Sequence, residues 1–129
     1  MTLLDTSFIY AFFKVTDIHH KEAVKIAKNP LFGKPIILIS VLEELITLNT
    51  RKGGSPETIN LINKIISRKD DIIFLENKPE TFQKTWNTFQ KHSPHNFSYV
   101  DCLLITLSKE LRCPVLTFDL KLNKILGTL

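Results

Sequence analysis

Short apolar runs that alternate with longer helical stretches constrain the fold of this chain more than any other sequence feature. The runs are Thr2–Leu4, Ile36–Ile39, Ile72–Leu75 and Pro114–Thr117. Each has the length of a strand, and the aliphatic ones lack alternating polar positions, which is typical of parallel strands buried on both faces. We therefore expect an α/β fold: a single three-layer domain with a central parallel sheet of about four to five strands and helices on both faces.

The segments between and beyond these runs have helical periodicity and helix-starting residues. They predict helices at Ser7–Phe13, His20–Ala27, Val41–Arg51, from Ser55-Pro56 onwards, from Pro79 onwards, at Ser98–Leu111 and at Leu120–Leu126, with a loop at His92–Phe97 that holds Pro94. The 129 residues contain no internal repeat or low-complexity stretch. We therefore expect one domain over residues 1–129.

Three of these helices carry apolar residues at helical spacing, which predicts their buried faces. The predicted stripes are Ile59, Ile62 and Ile66; Phe82, Trp86 and Phe89; and Val100, Leu103, Leu104, Leu107 and Leu111. For the aromatic stripe a second interpretation stays open, a contact face for a second copy of the chain. A homodimer is therefore one of the expected partners.

Composition narrows the function only slightly. The 17 basic and 13 acidic residues give a net charge of +4, which suits an anionic partner such as nucleic acid but is not specific for it. Cys102 and Cys113 form no CxxC pair and lie in apolar surroundings, so we expect buried, reduced thiols. The opening MTLLDTSFIYAFF is interrupted by Asp5 and is too short to span a bilayer. We expect a cytoplasmic protein without a membrane segment.

Acidic residues follow the predicted strands at the places where ligands bind in parallel sheets. Asp5 follows the first strand, Glu43 and Glu44 follow the second, and Asp119 follows the fourth, while Asp101 lies in the first turn of the preceding helix. Each could be an ordinary helix cap. Together, however, several carboxylates would repel one another, and a hard divalent cation such as Mg²⁺ would relieve that repulsion.

The neighbouring glutamates cannot both be assigned to this site from the sequence alone. Ser40 and Glu43 have the spacing of a capping box, as do Ser98 and Asp101. A Glu43 side chain occupied in such a box would leave Glu44, which points about 100° around the helix, for the site. We therefore predict Glu44.

Three segments of the chain resemble the PIN-domain family. LLDTSFIYAFF is similar to the family's opening strand and helix, and ILISVLEELITL to the segment with its glutamate. SYVDCLLITLSKELRCPVLTFD resembles its most specific stretch, in which one Asp opens a long helix and a second closes the next strand. The resemblance implies that the catalytic, metal-binding acids are Asp5, Glu44, Asp101 and Asp119.

The resemblance also implies the reaction and the partners. The expected activity is that of a metal-dependent ribonuclease that hydrolyses single-stranded RNA with Mg²⁺ or Mn²⁺, as the toxin of a pair with a small antitoxin protein. The alternative is a catalytically inactive PIN-like module that binds RNA or protein. Further expected contributors are the Thr6 and Ser7 hydroxyls, Asn123 as an accessory group, the His19-His20 helix start, and Lys121 and Lys124 as better candidates than Arg51-Lys52 for contacts to the RNA backbone.

Overall fold

The computed structural model describes residues 1–92 and 95–127, so that Pro94 of the predicted loop lies outside the described residues. The strands are β1 (Thr2–Leu4), β2 (Pro35–Leu38), β3 (Ile73–Leu75) and β4 (Val115–Leu116). The helices are α1 (Thr6–Phe13), α2 (His20–Ala27), α3 (Ile39–Gly53), α4 (Ser55–Ile66), α5 (Pro79–His92), α6 (Tyr99–Leu111) and α7 (Leu120–Leu126). Each predicted element is present, with ends that differ by a few residues.

The strands form one sheet in the order β3-β2-β1-β4, and every pair is parallel. The predicted α/β class with a central parallel sheet is confirmed. All carboxyl ends of parallel strands meet at one edge, and the chain leaves β1 towards β2 on one side while β4 pairs on the other. Such a reversal opens a crevice between the two neighbours, here β1 and β4.

The core consists of the two central strands and the helices packed on them. Ile36, Ile37 and Leu38 of β2 are at most 2% exposed, as expected of a strand covered on both faces. In α6, residues 102–107 are all buried. This helix therefore holds its first turn firmly against the sheet edge, which matters because Asp101 lies in that turn. Cys102 and Cys113 are buried free thiols, as predicted, and burial raises the pKa of Cys102 to about 11.

Two of the predicted helix faces are wrong in part: Ile62 and Phe89 pack against the core, but the other members of each stripe are exposed. In α4 the buried residues are Thr58, Leu61 and Ile65, whereas Ile59 and Ile66 are 60% and 48% exposed. In α5 the buried residues are Thr81 and Thr85, whereas Phe82 and Trp86 are 56% and 41% exposed. The α5 face that packs on α6 is lined with threonines, whose small side chains allow close approach: the Thr88 and Thr106 hydroxyls lie 3.3 Å apart.

The predicted stripe of α6 is correct except at its end, because Leu111 is 39% exposed in the last turn. Within the described ranges, no helix has both the length and the apolarity that crossing a bilayer would require.

Candidate active site

A cleft of about 510 Å³ opens at the carboxyl edge of the sheet and brings the predicted acids together. Asp5, Glu44, Asp101 and Asp119 all line it. They come from four separate elements: the ends of β1 and β4, the second turn of α3 and the first turn of α6. The remaining lining residues are Thr6, Ser7, Tyr10, Asp17, His19, Leu45, Leu48, Asn49, Lys52 and Ser98.

Asp5 is the most deeply placed of the four acids, at 5% exposure. It stands at the N-cap position of α1, but its side chain makes no capping hydrogen bond. Instead Asp5 Oδ2 accepts hydrogen bonds from the hydroxyls of Ser7 at 3.0 Å and Thr117 at 2.6 Å. Ser7 Oγ also accepts from the Phe118 N–H, so this network ties the end of β1 to the segment after β4.

Glu44 lies in the cleft and Glu43 does not. The Thr6 hydroxyl donates to Glu44 Oε1 at 2.9 Å, whereas Glu43 is exposed. The capping box expected at Ser40 and Glu43 is nevertheless wrong, because α3 begins at Ile39 and its N-cap is Leu38 without a side-chain cap. Ser40 Oγ instead accepts a hydrogen bond from the Asn77 amide.

Asp101 and Asp119 both act as caps while they line the cleft. Asp101 Oδ2 accepts from the Ser98 N–H at 3.0 Å and Ser98 Oγ accepts from the Asp101 N–H, which confirms the predicted capping box. Asp119 Oδ1 accepts from the backbone N–H groups of Lys121 and Leu122 at the start of α7. Capping and a role in the site are therefore compatible, since a carboxylate has two oxygens.

Each of the four carboxylates uses one oxygen for positioning and leaves the other without a hydrogen bond from the described residues. The second oxygens are Asp5 Oδ1, Glu44 Oε2, Asp101 Oδ1 and Asp119 Oδ2. A set of carboxylate oxygens is the donor set that Mg²⁺ and Mn²⁺ prefer. However, in residues 1–92 and 95–127 no group of three or more His, Cys, Asp or Glu side chains is arranged so that it could hold a metal ion as it stands. The donor chemistry fits such a cation, while the side chains remain apart.

Burial and the charges of neighbouring acids raise the pKa values of Glu44 and Asp101. Burial raises the pKa of Glu44 above its ordinary value, the Thr6 hydrogen bond opposes this, and the charges of Asp5 and Asp101 raise it further. Burial also raises the pKa of Asp101, opposed by the hydrogen bonds from Ser98 and supported by the charges of Asp5 and Asp119. Mutual repulsion of this kind is what a bound cation would relieve.

The accessory residues expected from the sequence have structural partners. Thr6 and Ser7 position Glu44 and Asp5 through the hydrogen bonds already given. Asn123 donates to the Thr117 carbonyl at 2.9 Å, and so steadies the turn before Asp119. His20 Nδ1 lies 2.8 Å from the Ala11 carbonyl, and the His19 ring stacks on Phe118 with centroids 4.3 Å apart at the wall of the cleft.

Four contributors were not predicted from the sequence. Thr117 supports Asp5 from a strand end, and Asp17, Tyr10 and Asn49 line the cleft. Lys52, ranked below the lysines of α7, is the lysine that lines the cleft. Lys52 follows Glu44 by eight positions, which places it about 80° away around the helix, so the spacing alone gave no signal that it lines the cleft.

A larger cavity, of about 910 Å³, lies between α1, α2 and the segment before β3. Its walls are mostly apolar, with Phe8, Phe12 and Phe13 among them, and its carboxylates are Asp70 and Asp71. It lacks the four acids, and so we regard the smaller, acidic cleft as the candidate active site.

Comparisons with known proteins agree with the fold described above. The model of a family described as the PIN domain matches residues 2–126. A VapC ribonuclease of Archaeoglobus fulgidus is 25% identical over 121 residues, which are 91% of this chain and 76% of that relative. The crystal structure of Mycobacterium tuberculosis VapC20, described as a sarcin-ricin loop cleaving toxin, is similar with a TM-score of 0.82 and 19% identity, over 97% of this chain and 95% of the other. At that identity the structural likeness shows the fold alone.

Proposed function

This chain belongs to the PIN domain family, and on that premise we propose that it is a metal-dependent ribonuclease that hydrolyses phosphodiester bonds of single-stranded RNA. The observation that carries the proposal is the cleft in which Asp5, Glu44, Asp101 and Asp119 each keep one carboxylate oxygen without a hydrogen-bond donor from the described residues. Carboxylate oxygens that line a cleft and accept no hydrogen bond are available to a cation, and a cation would relieve the mutual repulsion of these acids. The ribonuclease relative from A. fulgidus supports the same interpretation.

In the proposed mechanism, Asp5, Asp101 and Asp119 would hold Mg²⁺ or Mn²⁺, and Glu44 would either complete the site or orient the attacking water. When bound, the cation would stabilise negative charge on the phosphate and lower the pKa of a water molecule. The residues of the chain supply orientation. Ser7 and Thr117 fix Asp5, Ser98 fixes Asp101, and Thr6 holds Glu44 by Oε1 so that Oε2 is available to orient the attacking water and accept its proton.

The test is cleavage of single-stranded RNA by the purified protein with Mg²⁺ or Mn²⁺, and again in EDTA. We expect cleavage that EDTA abolishes and that falls by roughly 100-fold or more in Asp5→Asn, which keeps one oxygen for Ser7 and Thr117. Asp70→Asn is the matched control, since this exposed carboxylate lies away from the acidic cleft.

The two variants also distinguish a contaminant from a binding module. Equal cleavage by wild type and Asp5→Asn would mean that another nuclease cuts the RNA. No cleavage of varied RNAs, with RNA still bound, would favour the inactive PIN-like module.

We further propose two protein partners. The similar M. tuberculosis protein is described as a toxin, and by extension a small antitoxin would hold this chain in check. Growth arrest on expression, absent in Asp5→Asn, would support this role. A second copy of the chain is the occupant we propose for the exposed α5 rings of Phe82 and Trp86, because soluble proteins rarely leave adjacent aromatic rings uncovered. A cytoplasmic location stays a prediction.

A further inference from the structure

One end of the acidic cleft has a different chemistry from the rest. Tyr10, Asn49 and Lys52 line it together, with Leu48 beside them. Asn49 and Lys52 are separated by three positions on α3, so that their side chains lie one above the other on the same helix face. Lys52 Nζ lies 5.7 Å from the centre of the Tyr10 ring. A cation, an aromatic ring and an amide therefore adjoin the four carboxylates.

Lys52 forms no ion pair with a carboxylate of the described residues. The nearby Lys14 also lies over the Tyr10 ring, at 5.3 Å, but it forms an ion pair with Glu57. The ion pairs of the described residues are Lys14 with Glu57 and Lys84 with Glu110, and neither includes Lys52. An exposed ammonium group at the edge of an acidic cleft is a ready partner for a phosphate.

Asn49 provides a second, independent observation. Its side chain is 2% exposed, and its Oδ1 is the buried side-chain polar atom that no described residue hydrogen-bonds. The orientation of the amide follows from its neighbours. Thr58 Oγ1 donates to the Gly54 carbonyl and accepts from Asn49 Nδ2 at 2.9 Å, so the amide must present its NH₂ group to Thr58 and its oxygen elsewhere.

A buried acceptor without a donor costs about 1–3 kcal/mol, and a native protein keeps one only where something else uses it. Asn49 lines the cleft, and a molecule bound there would be the donor if the cleft wall shifts enough to expose this enclosed oxygen. Ribose hydroxyls and base N–H groups are such donors, and Lys52, whose ammonium group lies over the Tyr10 ring, is a phosphate partner. These are the parts of one nucleotide.

We infer that Tyr10, Asn49 and Lys52 form a binding subsite for an RNA nucleotide next to the one that is cut. The inference rests on the proposed ribonuclease function. Lys52 follows Glu44 by eight residues, or about 12 Å along the helix axis, and we therefore assign it to a phosphate next to the scissile one. Lys52 therefore contacts a neighbouring phosphate and contributes to substrate binding, while the acids act at the scissile bond.

The experiment compares Lys52→Met with Lys64→Met, which removes the same charge from an exposed position of α4 outside the cleft. The readouts are KM and kcat for a short single-stranded RNA of mixed sequence, and binding of the same labelled RNA in EDTA at several salt concentrations. We expect Lys52→Met to raise KM and Kd roughly tenfold with little change in kcat. The slope of log Kd against log salt should fall by about 0.7, the value for one phosphate contact on a single strand.

Two further variants separate binding from structure. Tyr10→Leu should weaken RNA binding several-fold because the ring that positions the Lys52 ammonium group is lost. Asn49→Leu removes the unpaired oxygen, and should raise KM while changing the Tm little; a purely structural Asn49 would show the reverse, a lower Tm with an unchanged KM. If Asn49→Leu does not fold, the Lys52 and Tyr10 variants still decide.

The outcomes distinguish this subsite from the ribonuclease proposal. RNA cleavage with equal KM and Kd in Lys52→Met and Lys64→Met would overturn the subsite and leave the nuclease standing. Binding that depends on Lys52, without any cleavage, would support the subsite and overturn the nuclease. If wild type binds no RNA in any of these conditions, both proposals fail.

Discussion

The acidic cleft presents carboxylate oxygens without a hydrogen-bond donor from the described residues, whereas the aromatic stripe of α5 (Phe82, Trp86 and Phe89) presents rings that are partly exposed to solvent. In the cleft each acid is fixed by hydrogen bonds through one oxygen, as Asp5 is by Ser7 and Thr117. In the stripe the rings are supported by one another, with Trp86 stacked between Phe82 and Phe89 at 6.5 and 5.6 Å. We therefore propose the cleft as a site for a small cation and the stripe as a surface for a large partner.

This difference explains why the two regions were not equally predictable. Acids at strand ends can be recognised because parallel strands bring their carboxyl ends to one edge whatever the details of packing. A stripe of aromatic residues at helical spacing predicts a face that avoids water, but not what covers it. General rules therefore identified Asp5, Asp101 and Asp119 from the sequence and misplaced Phe82 and Trp86.

The largest expected difference is in RNA cleavage between variants of the two neighbouring glutamates, Glu43 and Glu44. We predict that Glu44→Gln lowers RNA cleavage roughly 100-fold, because the carboxylate that lines the cleft is lost, whereas Glu43→Gln stays within about twofold. Steady-state cleavage with Mg²⁺ or Mn²⁺ measures both. A larger loss in Glu43→Gln would show that the exposed residue is the functional one and would contradict the placement of the site.

Other parts of the cleft depend on tertiary structure and were beyond sequence reasoning. Thr117 supports Asp5 across 112 positions of the chain, a pairing set by the β1–β4 register. Asn49 is distinguished by a buried side-chain oxygen that accepts no hydrogen bond from the described residues, and no sequence pattern reveals this. The Glu44 prediction rested on a capping box that does not form, so the glutamate that lines the cleft was chosen for a wrong reason. The rule that parallel strands bring their carboxyl ends to one edge predicted that the acids lie in one cleft. The capping rule failed at Ser40, because it depends on which side chain bonds to the local backbone.

Substitutions in the aromatic stripe should have a smaller effect, on dimerisation, and should leave RNA cleavage unchanged. We predict that wild type is a dimer and that Phe82→Ser with Trp86→Ser weakens dimerisation by at least about tenfold, since aromatic residues dominate the energy of contact surfaces. Sedimentation velocity over a range of concentrations measures the dimer. Trp86 is the single tryptophan, so its emission on dilution is a second measure.

Ile59→Ser is the matched control for the stripe, because Ile59 is 60% exposed on α4. It should leave the dimer unchanged. A wild type that stays monomeric at every concentration, or a double variant that dimerises normally, would contradict the proposed face. In either case the stripe would be a surface for another partner.

The smallest expected effect is on folding stability when Glu44 cannot ionise. It is measured in EDTA so that no divalent cation is bound. Burial first, then the neighbouring acids, raise the pKa of Glu44 from its ordinary 4.5. A raised pKa means that the folded state binds the proton more tightly than the unfolded chain does. The stability that this group contributes is therefore complete below pH 4.5 and is lost as the pH rises through the raised value.

Glu44→Gln, which cannot ionise, should consequently be more stable than wild type at about pH 7.5, by less than about 1 kcal/mol, and the advantage should disappear towards about pH 4. Thermal melting across this range measures the difference as a shift of a few degrees. Glu43→Gln, at an exposed position, should show no such trend. A Glu44→Gln variant that is less stable than wild type at the higher pH would mean that the Thr6 hydrogen bond outweighs burial and repulsion. The ionised cleft would then stabilise the fold without a cation. In this respect it would differ less from the aromatic stripe, whose rings support one another, than we infer.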